Sequence, residues 1–179
     1  MAERRSGQGM GIESEIFWYA FVTKPRHEKK VRYYLESAGI PQFLPLRTTL
    51  RQWKDRRRWV DVPLFSCYIF VKYAFNRRWD VLKVPGVVRI VSFSDKPAPI
   101  HEGEIQTIMK LISTEVDVQV CNGLLPGMDV KITSGPLAGL NGRLLEQRGS
   151  HRFVIQVPVI GKSILVDVNE NCIDPIETR

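Results

Sequence analysis

The residues of this chain best suited to chemistry are cations set beside aromatics. Residues 51–59 read Arg-Gln-Trp-Lys-Asp-Arg-Arg-Arg-Trp, and Arg77, Arg78 and Trp79 repeat the pairing. Arginine and lysine neutralise phosphate without reading sequence, and the indoles of Trp53 and Trp59 are flat enough to stack on unpaired bases. A second cationic set, Lys24, Arg26, His27, Lys29, Lys30 and Arg32, falls within one short stretch. The chemistry on offer is polyanion binding. The bland counterpart is a solvated basic face, with each tryptophan packing its own hairpin.

Catalytic signatures are missing. There is no GxxxxGK[ST], no GxGxxG after a strand, no HExxH and no GxSxG. His27, His101 and His151 lie in separate elements without ligand-like spacing, and the acids of the basic stretch form no obvious acid/base pair. Cys67, Cys121 and Cys172 are odd in number, far apart and without a CxxC pair. That pattern speaks against a disulfide framework or a cysteine zinc site and suits a reducing cytosol. We expect a binding protein, not an enzyme, with no metal and no cofactor.

The charge is unevenly placed. Of 179 residues, 44% are apolar and 25% charged, an ordinary globular composition, with a net charge of +7. Residues 16–113 carry +10 and residues 114–179 carry −2, so two modules are expected and only the first suits a polyanion. No apolar run approaches the roughly 18 residues of a membrane span. Residues 1–15 lack an apolar core segment, so they read as a disordered tail and not as a secretory signal.

Periodicity supplies the elements that must hold these residues. Residues 17–23 are apolar and rich in aromatics, which predicts a buried strand. Lys24-Pro25 opens a helix whose stripe is Val31, Tyr34, Leu35 and Ala38. Gly39 closes it and Ile40-Pro41 prevents its continuation. Residues 42–50 are extended, 51–59 form a charged hairpin tip, and 63–71 form a long strand. Phe75, Trp79 and Leu82 space a short helix that Pro85-Gly86 ends, and residues 87–93 form another strand. After a turn at Pro97-Ala98-Pro99, Ile105, Ile108, Met109 and Ile112 mark a third helix. The order β-α-β-β-α-β-α predicts a split βαβ, α+β domain with helices on one face of an antiparallel sheet.

In the strand ending at Val71, Phe65, Cys67, Ile69 and Val71 share one face and Ser66, Tyr68, Phe70 and Lys72 the other. Helices on the first face leave Tyr68 and Phe70 open to water, and such an aromatic patch marks a partner surface. It stays open unless the hairpin or the second module covers it.

Residues 115–123 show no helical stripe and read as a linker. Beyond them, 128–133, 140–146, 153–159, 163–168 and 172–176 are strand candidates separated by Gly, Pro and Asn turns, which predicts a small closed five-stranded barrel. Val130 and Ile132 alternate in the first of these. Gly135-Pro136 forces a turn, while Gly139 and Gly142 allow dihedrals that side chains forbid.

The string 127–143 resembles the KOW motif, and the domain before it is similar to the amino-terminal (NGN) domain of the NusG family of transcription elongation factors. Trp18-Tyr19-Ala20, the basic helix, residues 63–71 and Pro85-Gly86-Val87 carry that resemblance, which spans residues 17–177. It implies a ferredoxin-like NGN domain over 16–114, the linker at 115–123 and an SH3-like KOW barrel over 124–179. It also implies that Tyr68 and Phe70, with Phe65 beside them, bind the clamp helices of RNA polymerase. Arg77, Arg78 and Trp79 would then face the gate loop across the DNA cleft, with pausing or termination suppressed. Lys24, His27 and Lys30 match positions that contact the displaced non-template DNA strand in RfaH-like members, and Arg26 and Lys29 join them on charge. The turn holding Gly127, Gly135, Pro136, Gly139 and Gly142 belongs to a barrel that recruits a small-subunit ribosomal protein or Rho. A cytoplasmic, monomeric factor without membrane association is implied.

Two features depart from the family's usual pattern. Ser66-Cys67 stands where Pro-Gly or Pro-Asn is usual, and the chain resembles UpxY and RfaH-like antitermination paralogues more than housekeeping NusG. RfaH can fold its KOW region as helices. Here Val154, Ile155, Val157, Val159, Ile160, Ile164, Val166 and Val168 favour strands. The alternative is a ribosome-associated RNA-binding KOW protein, which would carry its basic charge on the barrel.

Overall fold

The computed structural model describes residues 15–52, 56–114, 116–147 and 150–176. The tail expected over 1–15 lies outside them except for Glu15, as do Trp53 and Gly149. In chain order the elements are β1 (Ile16–Thr23), α1 (Glu28–Ser37), β2 (Gln42–Phe43), β3 (Leu46–Gln52), β4 (Arg57–Pro63), β5 (Tyr68–Ala74), α2 (Arg78–Leu82) and β6 (Val87–Ile90). Next come β7 (Ser92–Phe93), β8 (Lys96–Pro97), β9 (Pro99–Ile100) and α3 (Glu102–Ser113). The remaining strands are β10 (Val118–Asn122), β11 (Met128–Ile132), β12 (Asn141–Gln147), β13 (Ser150–Val157), β14 (Lys162–Asp167) and β15 (Ile173–Pro175). The described residues fall into two compact units, within Met1–Leu44 plus Ser66–Glu102 and within Pro45–Phe65 plus Gly103–Arg179.

The first unit is built on an antiparallel sheet in the order β2-β5-β1-β6, with β9 also paired to β1. Its centre is the β1/β5 pair, where Phe21 faces Ile69, Ala20 faces Phe70 and Tyr19 faces Val71. Trp18 to Phe21 and Ile69 to Val71 are all buried, so this pair is covered on both faces. That corrects the expectation of an open second face.

Two element boundaries and one buried position also differ from the periodicity. Helix α1 starts at Glu28, not at Lys24, because Pro25 and Arg26 form a turn closed by the His27 N–H on the Lys24 carbonyl at 3.1 Å. Arg26 has φ 64°, which suits the third position of a turn with proline second and excludes a helix there. Strand β5 starts at Tyr68, not at Pro63, because Cys67 holds φ 66° and a left-handed residue cannot continue a strand. In α2 the buried residue is Val81, whereas Trp79 is 56% exposed. The end of α1 is as expected: Gly39 is left-handed at φ 67°, and the Ile40 N–H closes on Leu35 O at 2.9 Å.

The second unit contains the β3/β4 hairpin, most of α3 and a six-stranded antiparallel sheet in the order β10-β14-β13-β12-β11-β15. Helix α3 buries Ile105, Ile108 and Leu111, with Met109 and Ile112 half-buried. The five expected strands are present as strands, and a sixth, β10, comes from the stretch read as linker. It pairs with β14 from Val118↔Val166 to Asn122↔Lys162, and its alternating Val118 and Val120 supply a strand pattern. Val130, Ile132, Leu140, Phe153, Ile164 and Val166 form much of the core.

The KOW-like glycines serve different ends. Gly139 is left-handed at φ 87° and its N–H bonds Ile132 O at 2.7 Å. Gly142, expected to be there for its dihedrals, is not left-handed. A Cβ on it would lie 2.5 Å from Phe153 Cζ and 2.7 Å from Val154 O, so bare backbone is what lets Phe153 pack.

Candidate functional site

Strand β5 carries Tyr68 and Phe70 of the expected site. Tyr68, at its first position, is half-buried and lies opposite half-buried Val22. Phe70, two residues on, is 0% exposed. The reason is β2, which pairs with β5 and sets Phe43 directly across from Phe70. The two rings stack at 6.2 Å between centroids and 28° between planes. Phe65 is buried as well. The expected aromatic patch is therefore reduced to a strip of Tyr68, Val22 and the accessible part of Phe43.

Further along the same face, Trp18 Nε1 and Lys72 Nζ each donate to Glu102 Oε2 at 2.8 Å, and the ammonium lies 5.8 Å from the Trp18 ring centroid. On the opposite face Tyr73 lies 5.0 Å from Tyr19 and 5.6 Å from Phe21 between ring centroids. Burial first, and then the neighbouring Tyr19 hydroxyl, push the Tyr73 hydroxyl well above the ordinary tyrosine range. Burial alone raises Tyr19.

Arg77, Arg78 and Trp79 follow the far end of β5. By strand rise they stand about 20 Å from Tyr68, so the two groups lie at opposite ends of β5. Arg77 is exposed and pairs with Asp80 at 3.0 Å. The Arg78 guanidinium sits 4.5 Å from the Phe75 ring and 5.3 Å from the Trp79 ring, which leaves Trp79 as an exposed plate backed by a cation.

The basic residues before and along α1 are mostly exposed. Lys24 and Arg26 are exposed in the turn, Lys29 and Lys30 are exposed on the helix, and His27 is half-buried with Nδ1 3.0 Å from Pro25 O. The helix start is held by the Lys24 N–H on Gly86 O at 2.8 Å. Gly86 is left-handed at φ 104°, and a Cβ there would meet Val31 Cγ2 at 3.0 Å, which accounts for the Pro85-Gly86 turn. Tyr33 is exposed one helical turn after Lys29, and spacing of four from a lysine was the signal for it. Glu28 was missed altogether. It is buried, and its Oε1 accepts the Cys67 N–H at 2.8 Å.

In the second unit Gly127, Gly135 and Pro136 are exposed around β11. Among the described residues no group of His, Cys, Asp or Glu is placed to hold a metal ion, and no helix is long and apolar enough to cross a membrane.

A split-βαβ sheet with cationic turns, followed by a small all-β sheet, defines an α+β protein. The family profile described as "Transcription termination factor nusG" matches residues 17–109, and the chain belongs to the NusG family. A Haemophilus influenzae protein named transcription termination/antitermination protein NusG is 28% identical over 175 residues, covering 89% of this chain and 94% of its own. A Pseudomonas aeruginosa protein of the same name is 25% identical over 174 residues, covering 89% and 98%. A solved structure described as "Domain interaction in Thermotoga maritima NusG" superposes with a TM-score of 0.54 at 25% identity, covering 91% of this chain and 98% of that one.

Proposed function

We propose that this chain is a transcription elongation and antitermination factor that acts by binding RNA polymerase, not by catalysis. The observation that carries this is the Tyr68 strip, an accessible aromatic edge on a sheet otherwise buried on both faces at its centre, in a chain of the NusG family. The relatives named transcription termination/antitermination proteins support the same class.

In this mechanism Tyr68, flanked by Val22 and Phe43, takes the polymerase clamp helices. Phe65 and Phe70, being buried, act through folding and do not touch the partner. Arg77, Arg78 and Trp79 supply a second grip on the gate loop, at the distance β5 sets. Holding both sides of the cleft favours the closed clamp through differential affinity for that state and suppresses pausing or termination. Lys24, Arg26, His27, Lys29 and Lys30 hold the non-template strand through its phosphates. Residues 16–114 serve as the NGN domain, and residues 124–179 serve as a KOW domain that recruits a small-subunit ribosomal protein or Rho. The protein is a cytoplasmic monomer of the specialised, UpxY/RfaH-like kind.

A pausing assay with purified RNA polymerase tests this. The chain should shorten pauses and co-purify with polymerase, and Tyr68→Ala should lose both. Retained co-purification together with unchanged pausing in Tyr68→Ala overturns the docking surface.

A further inference from the structure

The β3/β4 hairpin has no part in that mechanism. Among the described residues it is a two-stranded sheet that no third strand joins. The Leu64 N–H bonds Pro45 O at 2.8 Å, which makes Arg47↔Val62, Thr49↔Val60 and Arg51↔Arg58 the hydrogen-bonded pairs of the register. Leu46, Thr48 and Leu50 therefore turn their N–H and C=O groups away from β4, and no further backbone bond engages them among the described residues. On the other edge the outward positions include Pro63, which has no N–H to offer. The open edge is that of β3. Leu46 to Thr49, four consecutive residues, line a groove of about 750 Å³, so this stretch is reachable from outside. Val118 lines the same groove, but its carbonyl already accepts the Arg47 guanidinium at 3.1 Å. The two faces of the hairpin differ in kind. Arg51 and Arg58, both exposed, stand side by side on one, and Leu50 and Trp59, 43% and 70% exposed, on the other.

We propose that the free edge of β3 takes an extended peptide as a third strand, with acidic and apolar residues alternating along it. Residues directly opposite each other in a sheet share a face, and the face alternates along the strand. Added antiparallel to β3, the apolar residues of the peptide bond the backbone of Leu46, Thr48 and Leu50 and lay their side chains beside Leu50 and Trp59. The acidic residues between them fall on the other face, beside Arg51 and Arg58. One two-residue period thus serves both faces of the hairpin, as in other strand additions. Charge selects this occupant. Arg47, Arg51, Arg57 and Arg58 against Asp61 leave the two strands at +3, so a second copy of β3 would bring like charge to the same edge. A nucleic-acid strand has phosphates for the arginines but no row of N–H groups for the carbonyls of Leu46, Thr48 and Leu50. The inference does not rest on polymerase binding.

The test titrates the full chain into a short labelled peptide of alternating valine and glutamate, read by fluorescence anisotropy. Thr48→Pro keeps every β3/β4 ladder bond, because the Thr48 N–H points outward, and should weaken binding roughly 5-fold or more by removing a donor from the edge. Arg51→Glu with Arg58→Glu leaves the backbone alone and should weaken binding roughly 2- to 30-fold at low salt. Two N-methylated peptides read the pairing directly. Methyl groups on the valine nitrogens should abolish binding, whereas those on the glutamate nitrogens, which face water, should leave it. Loss from the glutamate set alone means parallel pairing and still upholds an added strand. Equal behaviour of the two sets, or Thr48→Pro without effect, overturns it. So does a peptide with its glutamates in one block that binds as well as the alternating one. An oligonucleotide of equal charge that displaces the peptide from the Lys29→Glu/Lys30→Glu chain as readily as unlabelled peptide does makes the hairpin a nucleic-acid site and overturns the peptide. Self-association of the chain that Thr48→Pro abolishes makes a second copy the occupant and overturns it as well.

Discussion

Glu28, buried at the start of a basic helix, accepts the backbone N–H of Cys67 at 2.8 Å. The Cys67 carbonyl in turn accepts the Thr23 N–H at 2.9 Å, so both backbone groups of this residue are held by neighbouring elements. The bonds matter because Cys67 sits at φ 66°, where a Cβ meets the following carbonyl. They hold in place the bend that starts β5 and sets the position of Tyr68. The family's usual glycine or asparagine at this point tolerates that backbone, and cysteine does so only under constraint.

Cys67→Gly should therefore stabilise the chain by about 0.5–1 kcal/mol, the relief of the left-handed strain less the added entropy of an unfolded glycine. Glu28→Ala should destabilise it by about 1–3 kcal/mol, since a buried acceptor is lost and the part-buried Cys67 N–H is left unpaired. Glu28→Gln, which keeps an acceptor oxygen, should lose less. Urea midpoints measure all three.

Tyr68 and Phe70 should separate binding from stability. Phe70→Ala removes a fully buried ring stacked on Phe43 and should cost about 3–5 kcal/mol in urea unfolding. Tyr68→Ala truncates a half-buried ring, so its unfolding midpoint should move much less while polymerase co-purification falls. Polymerase capture retained by folded Tyr68→Ala counts against the strip.

Tyr73 gives a pH dependence with a definite sign. Its hydroxyl is buried without a hydrogen-bond partner among the described residues, and burial together with Tyr19 raises its pKa above the ordinary value near 10. The folded state therefore keeps this proton longer than the unfolded chain. The resulting stability is complete below about pH 10 and is lost as pH climbs from there toward the folded value. Tyr73→Phe should gain about 1 kcal/mol at neutral pH by removing an unsatisfied hydroxyl, and should flatten the alkaline fall in melting temperature.

Lys29→Glu with Lys30→Glu should lower the salt slope of single-stranded DNA binding by about 1.4, two phosphate contacts at about 0.7 each. An unchanged slope moves the helix's share of the DNA contact elsewhere.

Gly142→Ala should destabilise the second unit by about 1–3 kcal/mol, because the new methyl meets the Phe153 ring and a backbone oxygen that cannot retreat. A Gly142→Ala chain with wild-type melting behaviour would show that Phe153 can swing clear.

Local rules accounted for much of this protein. The Val31/Leu35 stripe, the closing Gly39, the basic hairpin, the alternating Val130 and Ile132 and the Gly139 turn each depend on neighbours within a few residues, so the amino-acid order alone determines them. The resemblance to NusG rests on the same short strings. The open or closed state of the sheet was a different matter. Alternation shows that Tyr68 and Phe70 share a face, but Phe70 is buried because β2 arrives beside β5 and brings Phe43 over it. Gly142 reads as a turn residue until Phe153 is seen packed against it. Residues 118–122 read as linker until β14 offers them a ladder. Glu28 reads as one more helix charge until a backbone N–H thirty-nine positions away needs an acceptor. Spacing along a chain records which side of an element is apolar. Which distant element comes to cover that side is settled only by the competition among packings in three dimensions.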